Sequence, residues 1–406
     1  MVDPHEEPVA PDVLSVLQLH TANEPLLPKL RTFECEEAAE AFIPFIPLFL
    51  SHKTTSIRIE FAEDSPIATV AFVITRLSML CSDLKCITLN YLPRDPVITE
   101  AVSEMLLACN RDILQQFCVD SLLTEDARGV VFQLPKLSDL WITIQGHTVL
   151  PPMALPNLIG IDFAYEDSLD WLQGLRGATL EKLEAVHFLS HSEQIGDLLE
   201  EFKSVALTTS IPATLLKFTL FTSSSWDPNY RSLLPFTQLK ELLIEFSCDD
   251  RCSSRIDDDI IMDLARAMPK LQLLRLGGVP CETTGGITVK GLIALTRGCR
   301  HLSKLRIHFL AASLAETATG VEVPAPGDET VIRRQDCALT DLEVGKTPIP
   351  AGAVLKVAIA LLQIFPRLLD IKSDYKRWEE VVEIIRVFRR IGAFVQHTGE
   401  VCLPYL

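Results

Sequence analysis

The stretch that decides the fold is Gly286-Ile-Thr-Val-Lys-Gly-Leu-Ile-Ala-Leu-Thr-Arg-Gly-Cys-Arg-His-Leu-Ser-Lys-Leu-Arg-Ile307. Residues 288–299 of this stretch carry apolar side chains at helical spacing. Its end has the pattern apolar-x-x-apolar-x-apolar, formed by Leu302, Leu305 and Ile307, and alternates as a half-buried strand does. The stretch therefore predicts one helix followed by one short strand.

The strand pattern recurs along the whole chain. Eleven copies begin at Leu30, Leu84, Leu114, Leu137, Leu158, Leu183, Leu215, Leu239, Leu271, Leu302 and Leu339, and two weaker copies begin at Thr54 and Leu368. Their mean spacing is about 28 residues, which is typical of leucine-rich repeats. Because one repeat cannot bury its own apolar face, the copies are expected to stack.

Proline marks the entry to several strands. Five copies have proline two residues before their first leucine, at Pro28, Pro135, Pro156, Pro269 and Pro366. Proline ends the preceding helix and biases the residue before it toward an extended conformation. We therefore expect each proline to direct the chain into its strand at a fixed point.

These patterns predict an α/β fold, a leucine-rich-repeat solenoid shaped as a curved horseshoe, with a parallel β-sheet on the concave face and helices on the convex face. Besides 288–299, helical periodicity predicts helices at 98–109, 193–205, 257–268 and 353–365. Residues 1–25 are expected to be a short, poorly ordered leader. Residues 26–375 are expected to form the irregular solenoid, and 376–406 a C-terminal capping helix and tail. The solenoid contains a loop insertion at 310–338, interpreted as a tolerated insertion or as a mobile flap.

The composition indicates a folded, acidic protein. Hydrophobic residues make up 48% of the chain and the mean hydropathy is +0.24, which supplies ample material for a core. A net charge of −17 disfavours binding to nucleic acid or anionic membranes. Residues 1–11 lack a secretory signal, and the apolar segments 41–50 and 67–81 are too short or too charged for membrane spans. We therefore expect no membrane association and a cytoplasmic or nuclear location.

No constellation in the sequence predicts a catalytic, cofactor-binding or metal site. His187 and His191 lack the helical glutamate context of a zinc protease, and Cys248 with Cys252 lacks a second ligand pair. The acidic run that begins at Asp257 is better explained as a helix N-terminus than as a metal site. The eleven scattered cysteines indicate reduced thiols. We expect neither enzymatic activity nor a cofactor.

The strand residues between the apolar positions are expected on the concave face, where a protein partner would bind. Trp141 has no core to fill there, so it indicates a binding hot spot or an aromatic packed on neighbouring strands. The basic island farther along would suit an acidic or phosphorylated segment, although solvated surface charges are the more ordinary interpretation. The predicted partner-binding residues are Trp141, Asp162, His187 and the basic island itself, which consists of Arg275, Lys304, Arg306 and His308.

The stretch from Gly286 to Ile307 resembles the cysteine-containing leucine-rich repeat of F-box proteins in its order of small residue, helix, cysteine and strand. The C-terminal part resembles a large fungal family of F-box-associated repeat proteins, in the segments Cys337-Ala-Leu-Thr-Asp-Leu-Glu-Val-Gly345, Ile364-Phe-Pro-Arg-Leu368 and Trp378-Glu-Glu-Val-Val382. The resemblance implies repeats that hold a protein for ubiquitination. It also implies an N-terminal F-box that binds a cullin-RING ubiquitin-ligase adaptor.

The residues before the first repeat show neither the Leu-Pro start nor the Cys-Arg-x-Trp ending of an F-box. Two functions therefore stay open. The chain is the substrate-recognition part of a ubiquitin ligase whose F-box is encoded upstream, or it is a scaffold or regulator that acts without the ligase. In both cases the partner is a protein of unknown identity.

Overall fold

The structure is a computed structural model that describes all residues except 1–10, 21–23, 39, 145–152, 166–168, 177, 179, 191–197, 223–227, 248–255, 280–285, 318–336, 346, 374 and 399–406. Among the described residues, thirteen strands form one sheet whose order follows the chain. The strands are β1 (Thr32–Ala38), β2 (Ser56–Phe61), β3 (Cys86–Asn90), β4 (Gln116–Val119), β5 (Asp139–Ile144), β6 (Gly160–Tyr165), β7 (Ala185–Ser190), β8 (Lys217–Thr222), β9 (Glu241–Ser247), β10 (Leu273–Val279), β11 (Lys304–Ile307), β12 (Asp341–Gly345) and β13 (Asp370–Ser373). Each strand contains the second and third positions of one predicted copy, and the first position lies two residues before the strand begins, which confirms the α/β leucine-rich-repeat fold class.

Helices connect most successive strands. They are α1 (Pro11–His20), α2 (Ile67–Leu80), α3 (Pro96–Ala108), α4 (Glu125–Val131), α5 (Leu198–Ala206), α6 (Ile211–Thr214), α7 (Asp258–Ala267), α8 (Val289–Gly298), α9 (Ala311–Thr317), α10 (Val354–Ile364) and α11 (Lys376–Thr398), with 3-10 helices at Ile43–Phe49, Asp170–Leu175 and Tyr230–Leu233. The helices predicted at 98–109, 257–268, 288–299 and 353–365 are present as α3, α7, α8 and α10. The helix predicted at 193–205 corresponds to α5, and residues 193–197 lie outside the described residues.

The chain divides into two compact units. The N-terminal unit comprises Met1–Leu189 and Val205–Ile211, and the C-terminal unit comprises Ser190–Ser204 and Pro212–Leu406. In the N-terminal unit, residues that pair in register on neighbouring strands form a row that is at most 1% exposed. The row consists of Ile57, Ile87, Phe117 and Leu140. In the C-terminal unit the corresponding row is at most 2% exposed and consists of Leu242, Leu274 and Leu305. Burying each such side chain contributes about 1.5–3 kcal/mol.

The prolines sit where the sequence predicts. In all five copies the carbonyl of the residue before proline accepts the backbone N–H of the first repeat leucine, at distances from 3.0 to 3.4 Å. Proline thus occupies the second position of a tight turn, where its fixed φ is already suitable. The turn delivers the chain into the strand, which explains how irregular spacing still yields one aligned sheet.

The acidic run at the start of α7 caps that helix, as predicted. The Asp257 side chain accepts from the backbone N–H of Ile260 at 2.9 Å. The adjacent Asp258 reaches the next repeat and accepts from the backbone N–H groups of Thr288 and Gly291, at 2.8 and 2.9 Å, and from the Thr288 hydroxyl at 2.6 Å. Asp258 therefore joins the starts of α7 and α8.

Three segments of the prediction contain helices in the structure. Within the expected leader lies α1, in which Leu14 is 3% exposed while Val16 and Leu19 are more than half exposed. The expected loop insertion begins with α9, since its alanine-rich start favours a helix, and residues 318–336 lie outside the described residues. The apolar segment 67–81 is largely α2, with five buried side chains.

No helix in the described part of the chain has the length and hydrophobicity that a membrane span requires.

Candidate functional site

The candidate site is the face of the sheet that alternates with the core, called here the open face. On β5 the buried positions are Leu140, Ile142 and Ile144, so Asp139 and Trp141 lie on the open face. The same alternation holds on β2 and β3 in the N-terminal unit and on β12 in the C-terminal unit. Each unit therefore presents a row of strand side chains that the core does not use.

The structure brings three predicted residues together in the N-terminal unit. Trp141 on β5 pairs in register with Asp162 on β6 and with Cys118 on β4. Asp162 Oδ1 lies 3.0 Å from Nδ1 of His187 on β7. Trp141 is half-buried, and Cys118 is only 8% exposed although it faces the open side, so neighbouring side chains cover it. An aromatic ring thus lies beside a carboxylate on the open face.

A second carboxylate stands next to this group and was not among the predicted residues. Asp139 precedes Trp141 by two positions on the same face, and its Oδ2 accepts the Ser138 hydroxyl at 2.7 Å. Gly160 lies opposite on β6, and a Cβ added there would come within 3.2 Å of Asp139 Oδ1. The glycine leaves the space that this carboxylate occupies. Strand alternation around Trp141 was the signal that could have identified Asp139 from the sequence.

The first two strands of the N-terminal unit add further carboxylates. Glu34 pairs in register with Arg58. Glu36 also interacts electrostatically with the Arg58 guanidinium. Arg58 Nη2 donates to Glu60 Oε1 at 2.9 Å, and the Asn90 amide donates to the same oxygen at 3.2 Å. The hydrogen bond from Arg58 lowers the pKa of Glu60, which stays ionised.

In the C-terminal unit two residues of the predicted basic island, Arg275 and Arg306, pair with carboxylates. Arg306 Nη1 lies 3.1 Å from Glu245 Oε1, and Arg306 Nε lies 3.4 Å from Glu343 Oε1. Arg275 Nη1 lies 3.6 Å from the same Glu245 oxygen. The Arg306 side chain contacts both glutamates and is only 14% exposed, while Lys304 is exposed. Two of the four predicted basic residues therefore already have carboxylate partners on the sheet, and the role of the four in partner binding stays a prediction.

His308, the last predicted site residue, lies between two glycines of neighbouring strands. A Cβ added at Gly345 on β12 would lie 2.6 Å from His308 Cε1, and one added at Gly277 on β10 would lie 3.2 Å from Cδ2. Both glycines have positive φ, +52° at Gly345 and +120° at Gly277. Because neither glycine has a side chain, there is room between them for the His308 imidazole on the open face.

Replacing Gly345 by alanine is expected to lower the free energy of unfolding by about 1–3 kcal/mol, because positive φ strains any residue with a Cβ. The alanine methyl would also press on the His308 imidazole. Chemical denaturation measures the loss. If the contact with the ring contributes, His308→Ala in the same background will restore part of the stability. A loss below about 0.5 kcal/mol would be that of an ordinary surface position and would contradict the strain argument.

A pocket of about 430 Å³ opens at the carboxyl ends of β3, β4 and β5, and sequence reasoning missed it. Its lining includes residues 93–96, the start of α3, and residues 120–122. Asp120 accepts the backbone N–H groups of Tyr91 and Leu92 and so holds Tyr91 at φ 58°. Burial raises the pKa of Asp120. The charged lining residues are Arg94, Asp95, Glu100 and Asp120.

The described cysteines are free thiols, as predicted. They are Cys35, Cys81, Cys86, Cys109, Cys118, Cys299 and Cys337. Burial raises the pKa of Cys118 to about 11, so this thiol is protonated and unreactive at neutral pH. His191, Cys248 and Cys252 lie outside the described residues. Among the residues that the structure does describe, no three His, Cys, Asp or Glu side chains form a metal-binding group.

Comparison with known proteins finds similarity to solved structures and no match by sequence. No protein-family model matches the chain, and no curated protein matches its sequence. The crystal structure of a yeast complex of Rad7 and Elc1 is similar at a TM-score of 0.31 and 12% sequence identity. The match covers 89% of this chain and 83% of that one. The leucine-rich-repeat fold is therefore assigned from this chain's own repeats and sheet.

Proposed function

We propose that the chain is a protein-binding leucine-rich-repeat module that holds its partner on the open face of the N-terminal unit. The observation that carries the proposal is the half-buried Trp141, which lies on the open face between Cys118 and Asp162. Tryptophan is strongly enriched among the residues that dominate binding energy. In this role the chain binds a protein and catalyses no reaction.

Trp141→Ala is expected to abolish capture of the proteins that the wild-type chain retains from cells of its source. The melting temperature should stay nearly unchanged, because the ring lies outside the core rows. The matched control is Phe72→Ala, which removes an aromatic ring that is 47% exposed on α2. Quantitative mass spectrometry of the captured proteins compares the two variants. Unchanged capture by Trp141→Ala together with loss in Phe72→Ala would place the interface on the helices.

A finer proposal is that this module recognises the substrate of a ubiquitin ligase. It is supported by the resemblance of residues 286–307 to the repeats of F-box proteins. Expression from the complete transcript tests it, because an F-box encoded upstream would make a cullin-RING adaptor co-purify in stoichiometric amount. A chain that starts at Met1 and retains partners without any adaptor would instead favour the scaffold or regulator.

A further inference from the structure

We propose that the partner segment held by the N-terminal unit is basic, an extended stretch of protein that places an arginine side chain on Trp141 between the carboxylates of Asp139 and Asp162. The proposal rests on the proposed function and adds the chemistry of the partner. It is carried by the charge of the open face, by the contrast between the two units, and by the geometry around Trp141.

The open face of the N-terminal unit is acidic. The open-face positions described on β1 to β7 hold five carboxylates and one arginine, a net charge of −4 with His187 neutral. The carboxylates are Glu34, Glu36, Glu60, Asp139 and Asp162, and the arginine is Arg58. The pocket beyond β3 to β5 has the same sign, with three carboxylates and one arginine among its lining residues. Such a surface attracts a cationic segment and repels an anionic one.

The open face of the C-terminal unit is balanced by comparison. The described positions on β8 to β13 hold five basic and five acidic side chains. Several of these groups pair with one another, including Lys217 with Glu241 at 3.5 Å and Arg306 with two glutamates. Because the two signs are equal in number, this face carries no net charge that would attract a charged ligand. The acidity of the open face is thus a property of the N-terminal unit.

The side chains around Trp141 have the geometry that an arginine needs. Trp141 pairs in register with Asp162 on β6, and Asp139 precedes it by two residues on the same face, so two carboxylate residues occupy positions next to Trp141. Asp162 also contacts Nδ1 of His187 at 3.0 Å. A guanidinium stacks on an aromatic face and simultaneously donates two parallel hydrogen bonds to a carboxylate. The ammonium of lysine cannot make this planar contact, so arginine is the preferred residue.

Fluorescein-labelled synthetic peptides test the proposal by fluorescence anisotropy. The probe alternates arginine with serine, and otherwise identical peptides carry lysine, glutamine or glutamate in place of arginine. The full chain is expected to bind the arginine peptide most tightly, the lysine peptide more weakly, and the glutamate peptide not at all. Raising the salt concentration should weaken binding because the interaction is largely electrostatic.

Two charge-matched double variants separate the open face from the general acidity of the chain. Asp139→Asn with Asp162→Asn should weaken binding of the arginine peptide at least about tenfold, a loss of about 1.4 kcal/mol. Glu63→Gln with Glu104→Gln removes the same charge from exposed positions outside the open face and should change binding less than about twofold. Equal losses in both variants would show diffuse attraction by the −17 chain and would overturn the proposal.

The outcomes also separate this inference from the proposed function. If Trp141→Ala abolishes capture of cellular proteins while the glutamine or glutamate peptide binds best, the module function stands and the basic partner is wrong. If a labelled nucleic acid or an anionic lipid vesicle binds the chain directly, and Asp139→Asn with Asp162→Asn changes that binding, the charge argument fails as well, because a surface with net charge −4 repels a polyanion.

Discussion

Trp378→Ala is expected to lower the free energy of unfolding by about 3–5 kcal/mol, the largest loss of any single substitution considered for this chain. Trp378 lies near the start of α11 and is 1% exposed. Its indole N–H donates to the Thr347 carbonyl at 2.8 Å, and its ring meets that of Phe309 edge to face, with centroids 6.0 Å apart. The substitution removes both contacts and leaves a cavity under the last helix.

The matched variant Trp378→Phe separates packing from hydrogen bonding. Phenylalanine keeps most of the apolar volume but cannot donate a hydrogen bond to the Thr347 carbonyl. The free energy of unfolding is therefore expected to fall by about 1–3 kcal/mol. Denaturant titrations of both variants give the two losses directly. Since the terminal repeats of stacked folds need a cover, the alanine variant should expose β13 first. An alanine variant that is destabilised by less than about 1 kcal/mol would mean that α11 does not depend on Trp378.

The positions of the strands could be predicted from the sequence because strand alternation is a local property. A side chain on a parallel strand is buried or not according to its place in a short pattern, and the five prolines fix where that pattern starts. The cap of α7 was predictable for the same reason, since Asp257 and the N–H of Ile260 that it accepts are three residues apart.

The charge state of the candidate site could not be predicted in the same way. Arg306 and Glu245 are 61 residues apart, and the arginine reaches the glutamate past the intervening strand β10. The sequence shows three basic residues within 304–308 and a fourth at Arg275, whereas the structure shows that Arg275 and Arg306 pair with glutamates of other repeats.

The acidic group around Trp141 depends on contacts of the same long-range kind. Asp139, Asp162 and His187 come from three repeats, and only their register makes them neighbours. The pocket beyond β3 to β5 likewise depends on Asp120 accepting backbone N–H groups 28 and 29 residues earlier in the chain. The repeat therefore predicts where partner-binding residues stand, while their grouping follows from the sheet.

Leu274→Ala is expected to lower the free energy of unfolding by about 2–5 kcal/mol, because the side chain is fully buried and its removal leaves a cavity between repeats. Leu274 pairs in register with Leu242 on β9 and Leu305 on β11. In a stacked fold such damage passes chiefly to adjacent repeats, so hydrogen exchange should accelerate in β9, β10 and β11 and stay unchanged in β2. Gln272→Ala, at an exposed position two residues earlier, is the control and should change stability by less than about 0.5 kcal/mol. A neutral Leu274→Ala, or exchange that accelerates equally in β2, would contradict the observed register and the local character of the core.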